Sequence, residues 1–567
     1  MKLKRIKIEK FRGIRLSEIN VGNELAIVGQ NSAGKSSILR ALNAFFNFDS
    51  EQKSFTTGRH SFQNTSTSVI EVEFSDVPIA CTLPRTNANS TNIIFRLRYK
   101  KSPIWQVYSS GTWQALQADW CDELRKFIKY VYVPLRRDHE VSGWGDNGLL
   151  KSVVDAWMLS HTSKRDTISP QVSRLASFIQ NGALKGLTKH LDKVTPINGN
   201  FAFNLEFGAL PDYRLLINEL VLKISEGDII VDIEDCGSGT QSLSAFALYS
   251  YLAELEGNTY ILGIEEPEQN LHPQAQRELL KSLKSLPMQV LFTTHSTVIV
   301  DELDHDEVVL CRRIKSSTRD IEINTTQLDS GFWRRNNLDK NKYYQFYKRR
   351  NSEFFFSNFV ILTESPIDSE IVKKLILDAK LDPIEYGVSV LSLDGVDSLP
   401  YAFHLLRELS FSFATIVDKD YFLPYLNDEL ANSRSTNGFP RYKREYQAGT
   451  IIDKLLPDLQ DRNQLLNLFH SNHSKAMTIL EKFNVYCFKW SLEIDLVNSG
   501  PAKQLLYRKL GIPSNQQSSK TLLENYHKAL KRLEHLMPTV SSLKPTNLPN
   551  SYSRIRKSLP LKIRANK

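Results

Sequence analysis

The sequence predicts an α/β protein made of two successive sheet domains, the first carrying a helical insertion. Three observations support this. An apolar stretch, Glu24 to Val28, runs into the glycine loop Gly29-Gln-Asn-Ser-Ala-Gly34-Lys35-Ser36 and then a helical pattern with Ile38, Leu39, Leu42 and Phe45 on one face. Two further apolar strands, Tyr260 to Ile264 and Val290 to Phe292, end in Glu265-Glu266-Pro267-Glu268 and in Thr293-Thr294-His295-Ser296. From Phe359 onward the strand, acidic loop and helix pattern starts again.

At 567 residues the chain has room for two to four domains. Its 41% hydrophobic and 24% charged content is that of a globular protein. No apolar run approaches the ~20 residues that span a bilayer. The first residues, Met-Lys-Leu-Lys-Arg-Ile-Lys-Ile-Glu, read as a strand rather than a signal peptide, so a cytoplasmic location and no membrane partner are expected. The five cysteines (Cys81, Cys121, Cys236, Cys311, Cys487) form no Cys-x-x-Cys pair, which argues against a zinc ribbon or a disulfide framework.

The formal charge of +9 is unevenly spread. Residues 541–567 hold seven basic side chains and no acidic one. Residues 332–350 interleave Arg334, Arg335, Lys340, Lys342, Lys348, Arg349 and Arg350 with Trp333, Tyr343, Tyr344, Phe346 and Tyr347. Such segments can displace counterions from a phosphate backbone. The plainer alternatives are a solvated tail and an aromatic connector packed between domains.

The glycine loop matches G-x-x-x-x-G-K-[ST] in its expected strand-to-helix setting. Its glycines let backbone N–H groups face phosphates, and the helix N-terminus adds a favourable field. Gly29, Asn31, Gly34, Lys35, Ser36 and Ser37 are thus assigned to ATP, with Lys35 at the β/γ-phosphates and the Ser36 hydroxyl on magnesium. Glu265 stands where an acidic metal ligand is expected, although Asp is commoner there and the extra methylene alters its reach. Glu266 is placed as the general base for hydrolysis, and His295 as the γ-phosphate sensor. Ahead of them, Cys236-Gly237-Ser238-Gly239-Thr240-Gln241 opens another helix and resembles an ABC signature motif. Ser238, Gly239 and Gln241 are then assigned to a partner's nucleotide, which implies a homodimer or higher homo-oligomer.

Lys35 and Glu265 are 230 residues apart, more than a minimal P-loop domain needs. The polar, strand-poor stretch at about 141–225 is read as an inserted helical arm for dimerisation, or as plain surface elaboration. Phe11-Arg12-Gly13-Ile14 resembles recombination-type and SMC-like heads. Arg136, Arg137 and Asp138, after the strand Tyr130 to Val133, are candidates for nucleotide sensing.

In the second half, Phe359 to Leu362 leads to Thr363-Glu364-Ser365-Pro366-Ile367-Asp368, Val388 to Leu391 to Asp394-Gly395-Val396-Asp397, and Ala414 to Val417 to Asp418-Lys419-Asp420. Carboxylates at successive strand ends converge on the rim where α/β sheets bind ligands, and a divalent cation relieves their repulsion. Lys419 is a candidate for contact with DNA phosphate.

This order resembles a Toprim domain. Behind an ABC/SMC-like head it makes almost the whole chain similar to the OLD (overcoming lysogenization defect) family, including the nuclease subunit of the Gabija system and OLD-like retron effectors. The resemblance implies a magnesium- or manganese-dependent site in which Glu364, Asp418, Asp420 and Glu493 hold two metals, with Asp368, Asp394 and Asp495 as further members. Two such metals activate water and stabilise the leaving oxygen of a phosphodiester. The implied function is ATP-controlled DNA cleavage in anti-phage defence, with a helicase or a reverse transcriptase and its RNA–DNA as possible partners. Two departures stand out: Ser365 replaces the family's glycine and Asp368 its glutamate. A C-terminal catalytic lysine is also implied, with Lys520, Lys528 and Lys531 all open.

The expected organisation is an ATPase head over 1–330, a connector over 331–355, a Toprim domain over 356–540 and a basic tail over 541–567. The chief alternative is a DNA-holding, SMC-like ATPase whose Toprim-like domain only scaffolds. A primase is disfavoured by the absence of a zinc module, a topoisomerase by lack of room for a tyrosine-bearing domain, and a transporter subunit by the second half itself.

Overall fold

The structure is a computed structural model. It describes every residue except 64–65, 88–89, 117–119, 135–147, 195–212, 218–219, 221, 227–228, 237, 316–320, 348–351 and 567. Arg136, Arg137, Asp138 and parts of the 141–225 insertion therefore lie outside the described residues. The chain divides into two compact units, Met1–Leu303 with Glu307–Thr325, and Asp304–Asp306 with Thr326–Lys567.

The strands of the first unit are β1 (Lys2–Phe11), β2 (Ile14–Asn20), β3 (Glu24–Val28), β4 (Ser68–Ser75), β5 (Ile93–Tyr99), β6 (Pro103–Ser109), β7 (Thr112–Ala115), β8 (Ile128–Val133), β9 (Lys223–Glu226), β10 (Ile229–Asp232), β11 (Thr259–Glu265), β12 (Gln289–Thr294), β13 (Val308–Ile314) and β14 (Glu322–Gln327). Among the described residues, twelve form one sheet in the order β7-β6-β5-β4-β1-β2-β14-β13-β3-β12-β11-β8, and β9 pairs only with β10.

The sheet has two characters. From β1 and β2 through β4 to β7 it is antiparallel, with alternating burial such as that of Ile6 and Ile8. From β13 through β3, β12 and β11 to β8 it is parallel. These parallel strands read as continuous apolar runs because both faces are covered. β12 is buried at every position. The register pairs Glu265 with Thr293 and Thr294 with Val28, so the glycine loop, the paired glutamates and His295 all leave the sheet at one rim. Gly263 is required inside β11, since a Cβ there would lie 2.0 Å from the Tyr130 hydroxyl.

The insertion is mostly helical where described: Leu149–Ser160, Thr162–Ile179, a wider turn at Gln180–Leu184, Lys185–Val194 and the short Arg214–Ile217, before β9 begins at its end. Leu175 and Phe178 on it are 67% and 80% exposed, more than an isolated surface helix needs to show. The first of these helices packs against the helix Ser238–Glu256.

The second unit has four parallel strands, β15 (Phe359–Thr363), β16 (Val388–Ser392), β17 (Phe413–Val417) and β18 (Val485–Cys487), in the order β16-β15-β17-β18. The chain steps from β15 to one side and returns to the other, which opens a crevice at the C-terminal ends of the strands. Its core joins Phe359, Ile361, Ile371, Leu375 and Tyr486 to Tyr552, Ile555 and Leu559 of the last helix, Asn550–Ala565.

That last helix corrects the expectation of a loose basic tail. Its apolar face is buried, and its cations serve local structure. Arg556 donates to the Asp378 carbonyl at 2.8 Å and Arg564 to the Lys380 carbonyl at 3.2 Å, covering the C-terminal end of the helix Pro366–Asp378 where cations are favoured. Arg554 pairs with Glu481 at 3.0 Å. The aromatic stretch after residue 331 likewise adopts the packing role: Phe332, Trp333 and Tyr343 are buried, and Lys340 is bound to Asp306 at 2.8 Å. It forms the short helices Phe332–Arg335 and Lys340–Lys342 and then a wider turn rather than one helix.

Candidate functional site

The glycine loop of the first unit is shaped by contacts that only glycine permits. Gly29 has φ +145°, and a Cβ there would sit 2.2 Å from the Cys311 carbonyl oxygen. Gly34 has φ +89°, with Ile323 Cδ1 2.0 Å from the same hypothetical atom. The helix Lys35–Phe46 starts directly after Gly34 with no side-chain cap, so its first N–H groups face the loop as an anion cradle. Lys35 is buried, its Nζ donating to the carbonyls of Gly29 and Gln30 at 3.1 Å and lying 2.6 Å from His295 Nε2. Burial, and then the neighbouring Lys35, push His295 down to about 4, so its ring is neutral and accepts from the ammonium. Asn31 is exposed, Ser36 half-buried and Ser37 buried on the same loop and turn.

Glu266 occupies a left-handed turn at φ +43°, a conformation costing on the order of 1–2 kcal/mol for a non-glycine residue. Its N–H donates to the Thr293 carbonyl at 3.0 Å, and its carboxylate lies 3.5 Å from His295 Nε2. Glu265 accepts from the Tyr132 hydroxyl at 2.6 Å. The sequence reading missed Glu268. This buried carboxyl accepts from Thr294 Oγ1 at 2.7 Å and His295 N at 2.9 Å, tying the glutamate turn to the histidine turn. The clue was the third acidic residue in Glu265-Glu266-Pro267-Glu268. Ser238 and Gly239 begin the helix Ser238–Glu256, and Gln241 Nε2 donates to the Cys236 carbonyl at 3.0 Å, closing that turn.

In the second unit, carboxylate oxygens of Glu364, Asp418 and Asp420 all lie within 4.8 Å of one another at the ends of β15 and β17. Leu492 N donates to Asp418 Oδ1 at 3.1 Å, and the Tyr425 hydroxyl donates to Asp420 Oδ2 at 2.8 Å. Glu364 Oε2 and Asp420 Oδ1 are buried with no hydrogen-bond partner among the described residues. Burial, then the charges of Asp420 and Asp368, raise Glu364 to about 8. Burial, then Glu364, raises Asp418, and burial raises Asp420. Orphaned buried oxygens on mutually repelling carboxylates are what a hard divalent cation satisfies, so these residues fit a magnesium- or manganese-type ion. Glu493, on the first turn of the helix Leu492–Asn498, adds its charge to all three and lies 3.7 Å from Lys531 Nζ.

Comparison with known proteins agrees with this two-part geometry. Residues 1–132 and 159–300 match the AAA ATPase domain family, and residues 355–420 match the TOPRIM domain of overcoming lysogenization defect protein-like sequences. The OLD nuclease of Thermus scotoductus is 23% identical over 449 residues, spanning 74% of this chain and 82% of that protein. Endonuclease GajA of Bacillus cereus is 23% identical over 54% of this chain and 58% of its own length. The Old nuclease of Escherichia phage P2 is 24% identical over 51% of this chain and 52% of its own. Across most of its length the chain is thus similar to OLD-family nucleases, which join an ATPase domain to a Toprim domain.

The structure departs from the sequence expectations at several positions. Ser365 and Asp368, the two replacements in the first Toprim motif, form a reciprocal cap. Asp368 Oδ2 accepts from Ser365 N at 2.9 Å and Ser365 Oγ from Asp368 N at 3.3 Å, an arrangement worth about 1 kcal/mol to the helix it starts. One oxygen of Asp368 is thus committed to backbone; burial raises its carboxyl to about 6, with Glu493 adding to the effect.

Asp495 lies outside the carboxylate cluster found among the described residues. It is buried, and accepts from Lys489 N at 2.9 Å, Trp490 N at 3.0 Å and Ser551 Oγ at 2.5 Å. The i+2 spacing from Glu493 on a helix turns the two carboxylates to different sides. Asp394 is exposed on a φ +49° turn, bound by Ser392 Oγ at 3.0 Å, and does not join the cluster. Lys419 is no surface phosphate contact. It is buried, donates to the Phe469 carbonyl at 2.7 Å and lies 5.0 Å above the Tyr442 ring, and burial lowers it to about 8. Of the three lysines left open, Lys531 pairs with Glu493 at 3.7 Å and Lys520 with Glu524 at 4.0 Å.

Proposed function

We propose that this chain is an ATP-regulated, metal-dependent DNA endonuclease. The observation behind this reading is the Glu364–Asp418–Asp420 cluster, two of whose buried oxygens have no hydrogen-bond partner among the described residues. Related proteins named OLD nuclease and endonuclease GajA support a nuclease as the activity class.

Glu364, Asp418, Asp420 and Glu493 would hold divalent magnesium or manganese, which supplies charge neutralisation at a phosphodiester and an activated water. Tyr425 and Leu492 N keep the aspartates oriented toward the cluster. Lys531, 57% exposed beside Glu493, would meet a non-bridging or leaving oxygen of the DNA strand.

In the first unit Lys35, Ser36 and the helix N-terminus would hold ATP with its magnesium. Glu266 would take the proton of the attacking water, and His295 would report the γ-phosphate. Ser238 and Gly239 would meet the nucleotide of a second copy, making the working form a dimer or higher oligomer, with the exposed Leu175 and Phe178 face of the insertion as a further contact. The biological setting we infer is defence against phage, in the cytoplasm, with a helicase or a reverse transcriptase as companion.

The direct test incubates wild type and Asp420→Ala with plasmid and linear DNA, with manganese or magnesium, across ATP concentrations. Cleavage by wild type and none by the variant, with ATP hydrolysis retained by both, is expected. Equal cleavage by both would refute the assignment. The absence of cleavage by wild type under all conditions would favour a DNA-holding scaffold.

A further inference from the structure

Beside the carboxylate cluster lies a small aromatic and cationic surface that the cleavage chemistry leaves unused. The rings of Trp490 and Phe439 are 4.5 Å apart at 31°, and Lys489 Nζ stands 4.3 Å from the centre of the Trp490 ring. Phe488, Tyr486 and Tyr552 nearby in the same unit are fully buried core rings; Trp490 is only partly buried and Lys489 is exposed. Trp490 and Phe439 pack against the edge of the core, which holds the pair in place while part of the Trp490 ring stays open to solvent.

The placement of this surface is set by the metal motif itself. Lys419 N, between Asp418 and Asp420, donates to the Trp490 carbonyl at 2.8 Å. Two residues on, Leu492 N donates to Asp418 Oδ1 at 3.1 Å, and Glu493 follows directly. Asp495 holds the N–H groups of Lys489 and Trp490 from below, so the dipeptide is rigid although it lies at the surface. Phe439 comes from a turn closed by Arg434, whose guanidinium donates to the Gly438 carbonyl at 2.7 Å. Lys489 over the Trp490 ring, and Arg434 on the turn that carries Phe439, thus bring positive charge to this aromatic pair.

Aromatic faces flanked by cations bind the bases of nucleic acid that are not already stacked in a duplex, because every base has a π-face and the cations meet its phosphate. Lys489 is a flexible side chain lying over the ring, and a base can take its place there while the ammonium turns to the backbone. We propose that Trp490, backed by Phe439 and flanked by Lys489 and Arg434, is a stacking platform for an unpaired nucleotide of the strand entering the carboxylate site. The preferred substrate is then DNA with a single-stranded or frayed segment. This inference rests on the nuclease reading of the neighbouring cluster.

The test measures fluorescence anisotropy of a labelled single strand, a blunt duplex and a duplex with a single-stranded overhang, in calcium to suppress cleavage. Wild type is expected to bind the two unpaired probes at least fivefold tighter than the blunt duplex. Trp490→Leu should lose about tenfold on those probes alone, and Lys489→Ala a smaller factor. Because Trp490→Leu can disturb the packing, Trp490→Phe is measured beside it for quenching of intrinsic fluorescence by the single strand. The quenching should fall when Trp490 is absent, with affinity within about threefold of wild type because an aromatic face remains. Unchanged quenching in Trp490→Phe, or a preference that survives in Trp490→Leu, overturns the platform. Wild type that binds blunt duplex as tightly as the single strand overturns it too, and leaves the nuclease reading standing if plasmid cleavage still needs Asp420. Wild type that neither binds nor cuts any of these DNAs overturns both.

Discussion

Tyr425 donates its hydroxyl proton to Asp420 Oδ2 at 2.8 Å, which leaves Asp420 Oδ1 as the oxygen turned into the carboxylate cluster. Tyr425 is itself held by a stacked contact with Tyr442, ring centres 5.3 Å apart at 26°. The first unit repeats the device: the Tyr132 hydroxyl donates to Glu265 Oε1 at 2.6 Å. In both places a phenol sets which oxygen of an acidic residue is available to a cation, and such outer contacts commonly carry about 10–100-fold in metal affinity.

Tyr425→Phe keeps the stacked ring and removes only the donor. Manganese affinity, followed by calorimetry or by the loss of free-ion signal in electron paramagnetic resonance, is expected to fall by about tenfold. Thermal stability should stay close to wild type. Unchanged affinity would show that Tyr425 packs without orienting Asp420.

Glu364 ties stability to pH. Its carboxyl is raised in the folded state to about 8 by burial and then by Asp420 and Asp368, against about 4.3 in an unfolded chain. A raised acid favours the fold while protonated, so this contribution is complete below about pH 4 and is lost as pH rises through 8. In the absence of metal, wild type should therefore lose stability between pH 5 and 8, and Glu364→Gln should lose less, with a difference on the order of 5 °C in melting temperature at pH 8. Manganese should stabilise wild type most at the alkaline end. Parallel melting curves for the two proteins across that range would remove Glu364 from the cluster's electrostatics.

At the nucleotide site, Lys35→Ala should abolish ATP binding with the fold intact, because Lys35 is the buried cation of the glycine loop. Glu266→Gln should retain ATP while its hydrolysis falls by about 10²-fold or more. Titration with a fluorescent ATP analogue and a phosphate-release assay separate the two effects. Hydrolysis near wild type in Glu266→Gln would move the base elsewhere, with Glu268 the next carboxylate to examine.

Lys531 is expected to matter to DNA cleavage, and Lys520 is not. Lys531→Ala should reduce the cleavage rate by about 10²-fold, while Lys520→Ala, whose ammonium faces Glu524, should cut like wild type. Both should hydrolyse ATP normally. The reverse ranking would place the cation of the reaction outside the Glu493 contact.

Asp495→Ala should be a stability variant. Removing this buried carboxylate deprives two backbone donors and the buried Ser551 hydroxyl of their acceptor, at a cost of about 3 kcal/mol. Its melting temperature should fall by about 10 °C, with metal binding preserved under conditions where it remains folded. Loss of a metal ion without loss of stability would return Asp495 to the ligand set.

The amino-acid sequence by itself determined the strand–loop–helix order, the glycine loop, the glutamate and histidine turns and the Asp-x-Asp motif. These are local patterns: a glycine at φ +89°, or an unbroken apolar run such as β12, follows from a few neighbouring residues. Parallel register then brings their ends to one rim almost automatically. What each carboxylate does was decided only by tertiary structure. Asp394 and Asp495 have the same chemistry as Asp418, and only the surrounding packing shows one exposed on a turn, another consumed by backbone N–H groups and the third facing a cluster. Tyr132, Tyr425, Trp490 and Lys531 lie in no motif, because their partners are reached across the sheet or along a late helix. The basic C-terminal segment shows the same division: its composition was plain in the chain, but its use in covering a distant helix end depends on contacts 178 and 184 residues away. Hydrogen bonding and burial between residues so far apart in sequence leave no periodic signature to read.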